Sequence, residues 1–161
     1  MAMQRRQFLG TAALTGLAAS MPVSALAADT AGLPNLAAKA VPIGAEERKA
    51  RIAKAAALLR ANDIGALLIE PGSSLIYFTG VEWWRSERLT AAVLTREGEM
   101  AIVTPFFEEP SVRESLGVPA DVLTWNEDEN PLRFVADWLA KRGLAKGRIG
   151  VEETVRYFAV D

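Results

Sequence analysis

The sequence contains no histidine and no cysteine among its 161 residues. For this chain acting alone, these absences exclude nucleophiles activated by histidine, Cys/His zinc sites, haem ligation, iron–sulfur clusters and disulfides. The serines therefore have no histidine to activate them, and no Ser-x-x-Lys dyad occurs. Any chemistry would have to use carboxylates, hydroxyls, lysine and arginine.

The chain also lacks a strong excess of either charge. It has 18 Lys and Arg residues against 20 Asp and Glu residues, and the basic residues never cluster beyond pairs. No nucleic-acid partner and no anionic lipid surface is therefore expected. Half of the residues are apolar and 24% are charged, which is typical of a globular protein with one domain.

The N-terminus has the pattern of a signal peptide that ends at residue 27. An apolar run covers residues 8–20, and Pro22 interrupts it. Small residues, Ala25 and Ala27, stand at the positions that a signal peptidase reads, so cleavage is expected before Ala28. A membrane anchor would need about 20 uninterrupted apolar residues, so no membrane attachment is expected after removal of the signal.

Arg5 and Arg6 lie in a segment that resembles the twin-arginine export signal. Gln4 and Gly10 depart from that pattern, so general secretion stays open as the alternative route. Either route predicts a periplasmic or secreted protein.

The rest of the chain divides into a lead-in and one folded domain. Residues 28–44 are rich in Ala, Pro and Gly, which predicts a flexible lead-in. Residues 45–161 alternate between helical and strand patterns. Helices are predicted to begin near Ala45, at Ser73, at Pro110 and after Asn130, with strands over 66–70, 89–95, 99–104, 121–125 and 148–152. This order predicts an α/β domain with a mixed sheet and helices on both faces.

Several local signals add detail to this prediction. A three-residue turn that ends in Gly98 predicts an antiparallel hairpin with a positive φ at that glycine. Ser73 is predicted to cap a short helix that ends at Gly80, and Asn130 is predicted to cap a longer one. Thr154 is predicted to cap a final helix.

The acidic residues occur mainly as sequence neighbours, at Glu108-Glu109, Glu127-Asp128-Glu129 and Glu152-Glu153. Neighbouring side chains point in different directions on a helix or strand, so they do not converge on one ion or substrate. Solvated turns and helix N-termini account for them.

Three segments carry a resemblance to a known family. They are LIYFTG at 75–80, WWRSERL at 83–89 and RIGVE at 148–152. In this order and spacing they resemble the N-terminal domain of the creatinase, prolidase and Xaa-Pro aminopeptidase superfamily of metallopeptidases. The resemblance implies the α/β fold predicted above, followed in family members by a larger catalytic domain of pita-bread shape.

In that catalytic domain, two Asp, one His and two Glu hold two divalent metals. This sequence is expected to lack that domain, to contain no catalytic residue and to bind no metal cofactor. The chain is then a truncated, non-catalytic module of an exported peptidase, with a peptide substrate only when joined to a catalytic domain. A stand-alone periplasmic binding or assembly module of the same fold is the alternative, and the sequence encoded after Asp161 would separate the two.

The resemblance also implies a role for residues 81–88, called here the Trp/Arg loop. Family members commonly form homo-oligomers through this domain, and the loop reaches toward a neighbouring active site. Arg88 matches the creatinase arginine by its spacing, and its planar fork suits a substrate carboxylate. Ser86 stands where creatinase has an aromatic residue, so Trp83 or Trp84 would supply the apolar wall.

A purely structural explanation of the loop stays open. One tryptophan would then pack in the core, while Arg85 and Arg88 would pair with Glu82 and Glu87 at the surface.

Three further aromatic residues, Trp125, Tyr157 and Phe158, are candidates for an exposed surface that normally faces a catalytic domain, with core packing as the alternative.

Overall fold

The structure is a computed structural model that describes Asn35 and residues 37–159, without the side chain of Tyr157. It divides into two units, at Val41 and Pro42. In the described part of the first unit, residues 37–39 form a turn in which the Ala37 N–H donates to Asn35 Oδ1 at 3.0 Å.

The residues assigned to export lie outside the described residues. They are Arg5 and Arg6 of the signal and Ala25, Ala27 and Ala28 of the cleavage region.

The second unit alternates helices with strands, as predicted. The elements are α1 (Ala45–Ala61), β1 (Ile64–Ile69), α2 (Ser73–Thr79), β2 (Ala91–Thr95), β3 (Met100–Pro105), a 3₁₀ turn (Phe106–Glu108), α3 (Glu109–Ser115), β4 (Asp121–Trp125), α4 (Pro131–Ala140), β5 (Arg148–Val151) and a second 3₁₀ turn (Tyr157–Ala159). Each strand lies within two residues of its predicted bounds.

The five strands form one mixed sheet in the order β4-β3-β2-β1-β5. The pairs β3–β4 and β1–β5 are parallel, whereas β2 runs antiparallel to β1 and β3. The predicted hairpin is β2–β3, with Ala91 opposite Val103 and with φ of +88° at Gly98. Four strands therefore end at one edge of the sheet, and β2 begins there.

Helices cover both faces of the sheet, because successive strand residues point to opposite sides. On one face α4 packs through Val135, Trp138 and Leu139 against alternate residues of the strands, including Leu68 and Val93. On the other face the buried residues are Leu59 of α1, Leu75 of α2 and Val112 of α3, together with Ile69, Ala92, Leu94 and Ile102 of the sheet. The predicted fold class is confirmed.

Two helix-end predictions are confirmed and two are wrong. Asn130 Oδ1 accepts the Leu132 N–H at 2.9 Å and caps α4, and Gly80 ends α2 with a φ of +83°. Ser73 is the first residue of α2 and not its cap, because the chain already turns at Gly72. Thr154 begins no α-helix, since its hydroxyl is held by another part of the molecule, as described below.

Trp125 packs in the core, which is one of the two alternatives that the sequence leaves open for it. It is 6% exposed at the end of β4, where its indole N–H donates to the Leu89 carbonyl at 3.0 Å. Phe158 is 45% exposed, and the side chain of Tyr157 is outside the description.

Over the described residues, no helix combines the length and the apolar character needed to cross a membrane.

Candidate functional site

The Trp/Arg loop lies at the edge where four strands end, because it leads into the start of β2. The same edge receives the segments that follow the other strands. These are Glu70 after β1, the 3₁₀ turn Phe106–Glu108 after β3, residues 126–129 after β4 and residues 152–159 after β5. Side chains that are far apart in the sequence therefore meet around the loop.

Both ends of the loop are anchored in the core. Val81 is buried, and its N–H donates to Thr79 Oγ1 at 3.0 Å. At the other end, Leu89 is buried and its carbonyl accepts the Trp125 indole N–H. The part of the loop between these anchors is held by side-chain contacts.

The two adjacent tryptophans have different surroundings. Trp83 is half-buried and packs on the hydrophobic cluster beneath α1 and α2. Trp84 is 89% exposed, so its indole is available for contact with another molecule. Ser86 is exposed, and its hydroxyl lies 3.2 Å from both the N and the O atoms of Arg88, which closes a local turn.

Arg88 forms an exposed ion pair with Glu127, from the segment after β4. Its Nε lies 3.0 Å from Glu127 Oε1, and its Nη1 contacts Glu87. The guanidinium carbon lies 5.6 Å from the centre of the Phe107 ring, within cation–π range. The hydrogen bond and the charge of Glu127 raise the pKa of Arg88 above its ordinary value. The orientation of the guanidinium is set by groups from three segments.

The structural explanation of the loop predicts a pair between Arg85 and Glu82. The partners of Arg85 are different. Its Nη2 donates to Thr154 Oγ1 at 2.8 Å and lies 3.9 Å from Glu70 Oε2. The other expected pair, Arg88 with Glu87, is present.

Glu70 is the buried centre of an ionic cluster formed by Glu70, Arg85 and Arg156, here the Glu70 cluster. The Glu70 side chain is 0% exposed. Its Oε1 accepts from Arg156 Nε at 2.6 Å, and its Oε2 accepts the backbone N–H of Arg156 at 3.0 Å. The Glu70 N–H in turn donates to Glu152 Oε2 at 2.9 Å. The two bonds from Arg156 compensate the desolvation of the Glu70 carboxylate.

A second polar group joins two buried threonines to Glu108, the residue after Phe107. The hydroxyls of Thr90, directly before β2, and Thr104, near the end of β3, lie 3.0 Å apart. Glu108 Oε2 lies 3.0 Å from the first hydroxyl and 3.3 Å from the second. This contact fixes the 3₁₀ turn that carries Phe107 beside Arg88.

The fold and this edge can be compared with known proteins. A family model described as the creatinase/prolidase N-terminal domain matches residues 51–160. The chain belongs to this family. The match includes the whole sheet and the Trp/Arg loop.

The relatives of this creatinase/prolidase N-terminal domain are peptidases by name. An uncharacterized peptidase of Schizosaccharomyces pombe is 30% identical over 140 residues, which cover 78% of this chain and 30% of that protein. The crystal structure of dipeptidase PepE from Mycobacterium ulcerans is 33% identical, with a TM-score of 0.60, over 70% of this chain and 30% of that one. The chain thus spans less than a third of the length of both.

The N-terminal domain of an Xaa-Pro dipeptidase from Lactobacillus brevis has a TM-score of 0.61 at 18% identity, over 67% of this chain and 81% of that one. At this identity the likeness shows the fold alone.

The residues present do not fit the metal centre that the resemblance implied for the catalytic domain. That ligand set needs a histidine, and the sequence has none. Among the described side chains, no group of three or more acidic residues is arranged to hold an ion. No chemical step is therefore assigned to a metal in this domain.

Sequence reasoning missed the residues that contact the loop from other segments, namely Glu70, Phe107, Glu127 and Arg156. Glu70 has one signal in the sequence, since it is a carboxylate directly after an apolar strand. Its partner lies 86 residues away, and only the parallel pairing of β1 with β5 brings the two together.

Proposed function

We propose that this domain is the non-catalytic N-terminal module of an exported peptidase of the Xaa-Pro dipeptidase or aminopeptidase class. In this proposal it serves oligomerisation, and the Trp/Arg loop closes the active site of a neighbouring subunit over a peptide. The names of the relatives and their greater length support the peptidase class.

One observation carries the role of the loop. Trp84 is 89% exposed on a loop with both ends anchored, and the charged fork of Arg88 belongs to the same loop. An exposed indole and a guanidinium on one loop suit a ligand with an apolar part and a carboxylate, which would replace Glu87 or Glu127 as a partner of the fork.

The first test is the genomic sequence after the codon of Asp161. We expect an open reading frame that encodes two Asp, one His and two Glu as metal ligands. A stop codon would contradict the proposal and support the stand-alone binding or assembly module.

The chain alone is expected to bind manganese only weakly. Micromolar binding in calorimetric titration would therefore also count against the proposal.

The second test uses Arg88→Ala in the full-length peptidase. We expect kcat/KM for an Xaa-Pro peptide to fall by an amount equivalent to about 1.5 to 3 kcal/mol, the range for a hydrogen bond to a charged group. Arg113→Ala is the matched control, because Arg113 forms an exposed ion pair with Glu109 on α3, at 2.7 Å. Equal kinetics for both variants and the parent would show that the loop has only a structural role.

Two experiments address assembly and export. Light scattering of the mature chain should give a mass above that of the monomer, and a monomer at high concentration would contradict the oligomerisation role.

Replacement of Arg5 and Arg6 by lysine should leave uncleaved protein in the cytoplasm if export uses the twin-arginine route. Export at the normal rate would favour general secretion.

A further inference from the structure

We propose that Glu70 and Arg156 are positioning residues that hold the Trp/Arg loop against the segment following β5. The functional meaning of this inference rests on the proposed role of the loop. The structural claim concerns the chain alone and can be tested on it.

The loop and the segment after β5 are joined by direct contacts. Arg156 Nη1 donates to the carbonyl of Ser86, in the middle of the loop. In the opposite sense, Arg85 of the loop donates to Thr154 Oγ1 at 2.8 Å. Two residues of the loop therefore bond to two residues of the later segment.

Glu70 makes these contacts mutually dependent. One carboxylate oxygen binds the Arg156 side chain at 2.6 Å, and the other binds the Arg156 backbone N–H at 3.0 Å. The second oxygen also lies 3.9 Å from Arg85. The buried Glu70 carboxylate thus orients Arg156, which bonds to the loop, and attracts Arg85, which belongs to the loop.

Burial makes the arrangement specific. Glu70 is 0% exposed and Arg156 is 21% exposed at the side chain. A charged pair shielded from water is strengthened by the low local dielectric, and its members cannot separate without leaving a charge buried. A displacement of residues 154–156 is therefore transmitted to residues 85–86.

Trypsin provides the test. It cleaves after Arg85 only when this side chain leaves Thr154 and Glu70 and enters the specificity pocket of the protease. Cleavage after Arg85 reports release of the loop, and cleavage after Arg133, within α4, reports wider unfolding. In Glu70→Gln, we expect cleavage after Arg85 to rise about tenfold or more relative to cleavage after Arg133, as for loss of a hydrogen bond to a charged group.

Glu109→Gln is the matched control. It removes the same charge from a carboxylate that accepts from an arginine Nε at 2.7 Å, on the exposed surface of α3. The ratio of the two cleavage rates should stay unchanged. If both rates rise in proportion in Glu70→Gln, or if neither changes, the inference is overturned.

Thr154→Val is a milder second variant, in case Glu70→Gln does not fold. It removes only the hydroxyl that accepts from Arg85, so an increase of about two- to tenfold in the same ratio is expected. No increase would overturn the inference. These results are independent of the Arg88→Ala kinetics, so failure of the positioning role and failure of the proposed function can be distinguished.

Discussion

Two arginine–carboxylate pairs at the same edge of the sheet differ chiefly in burial. In Glu70–Arg156 the side chains are 0% and 21% exposed, and in Arg88–Glu127 they are 36% and 63% exposed. Arg156 of the first pair also bonds to Ser86 and so connects the Trp/Arg loop to the segment after β5. Arg88 of the second pair connects the same loop to the segment after β4. The comparison separates a contact that holds the loop from one that water can replace.

The physical reason is the fate of the group left behind when one partner is removed. At the surface, water solvates the remaining charge, so exposed pairs contribute about 0 to 1 kcal/mol. In the interior, the remaining charge is desolvated and unpaired, and the loss is several times larger. The same substitution at the two arginines should therefore have different effects on stability.

The largest effect is expected for Arg156→Met. It leaves the Glu70 carboxylate buried, with Arg85 at 3.9 Å as its remaining cationic neighbour in the Glu70 cluster. The free energy of unfolding should fall by about 3 to 5 kcal/mol, measured by urea denaturation. A loss below about 1 kcal/mol would show that burial does not distinguish the two pairs.

A smaller effect is expected for Trp125→Phe, which removes the donor to the Leu89 carbonyl at the end of the loop. An unsatisfied buried carbonyl costs about 1 to 3 kcal/mol, and the free energy of unfolding should fall by that amount. Trp84→Phe, on the exposed neighbour of Trp83, is the control and should leave the value unchanged. An undiminished stability in Trp125→Phe would mean that this bond does not anchor the loop.

Arg88→Met should lower the free energy of unfolding by no more than about 1 kcal/mol. The effect should shrink further in high salt, because screening weakens exposed charge pairs. Denaturation at low and high ionic strength measures both. A salt-independent loss equal to that of Arg156→Met would contradict the comparison.

The smallest effect is expected for Trp84→Ala. Since the indole is 89% exposed, the free energy of unfolding should change by less than about 0.5 kcal/mol. Thermal denaturation next to the parent chain measures this difference. A clear destabilisation would show that Trp84 packs within its own chain, which would remove the basis for its proposed contact with another molecule.

Much of the fold is predictable because its signals are local. The Gly98 hairpin and the Asn130 cap depend on residues within a few positions, and both occur as predicted. The failures at Ser73 and Thr154 have a shared cause. A hydroxyl near a helix start is a cap only if the backbone begins the helix there and no distant group forms a hydrogen bond with the hydroxyl. The Thr154 hydroxyl accepts from Arg85 instead.

The site was less predictable than the fold. Arg88 is a candidate through the resemblance to family members, but its partner Glu127 lies 39 residues further along the chain. The adjacent tryptophans show the same limit, because identical side chains in successive positions differ in burial according to the helices that pack nearby.

The sequence by itself determined the order of the five strands, the hairpin of β2 with β3 and the absence of any histidine chemistry, since periodicity, turn residues and composition are read without knowing contacts. Only the tertiary structure decided which charges meet at the edge of the sheet. Parallel pairing of β1 with β5 brings Glu70 to Arg156, and the reversal of β2 places the Trp/Arg loop over both. Such contacts depend on strand order, and strand order is a property of the whole folded domain.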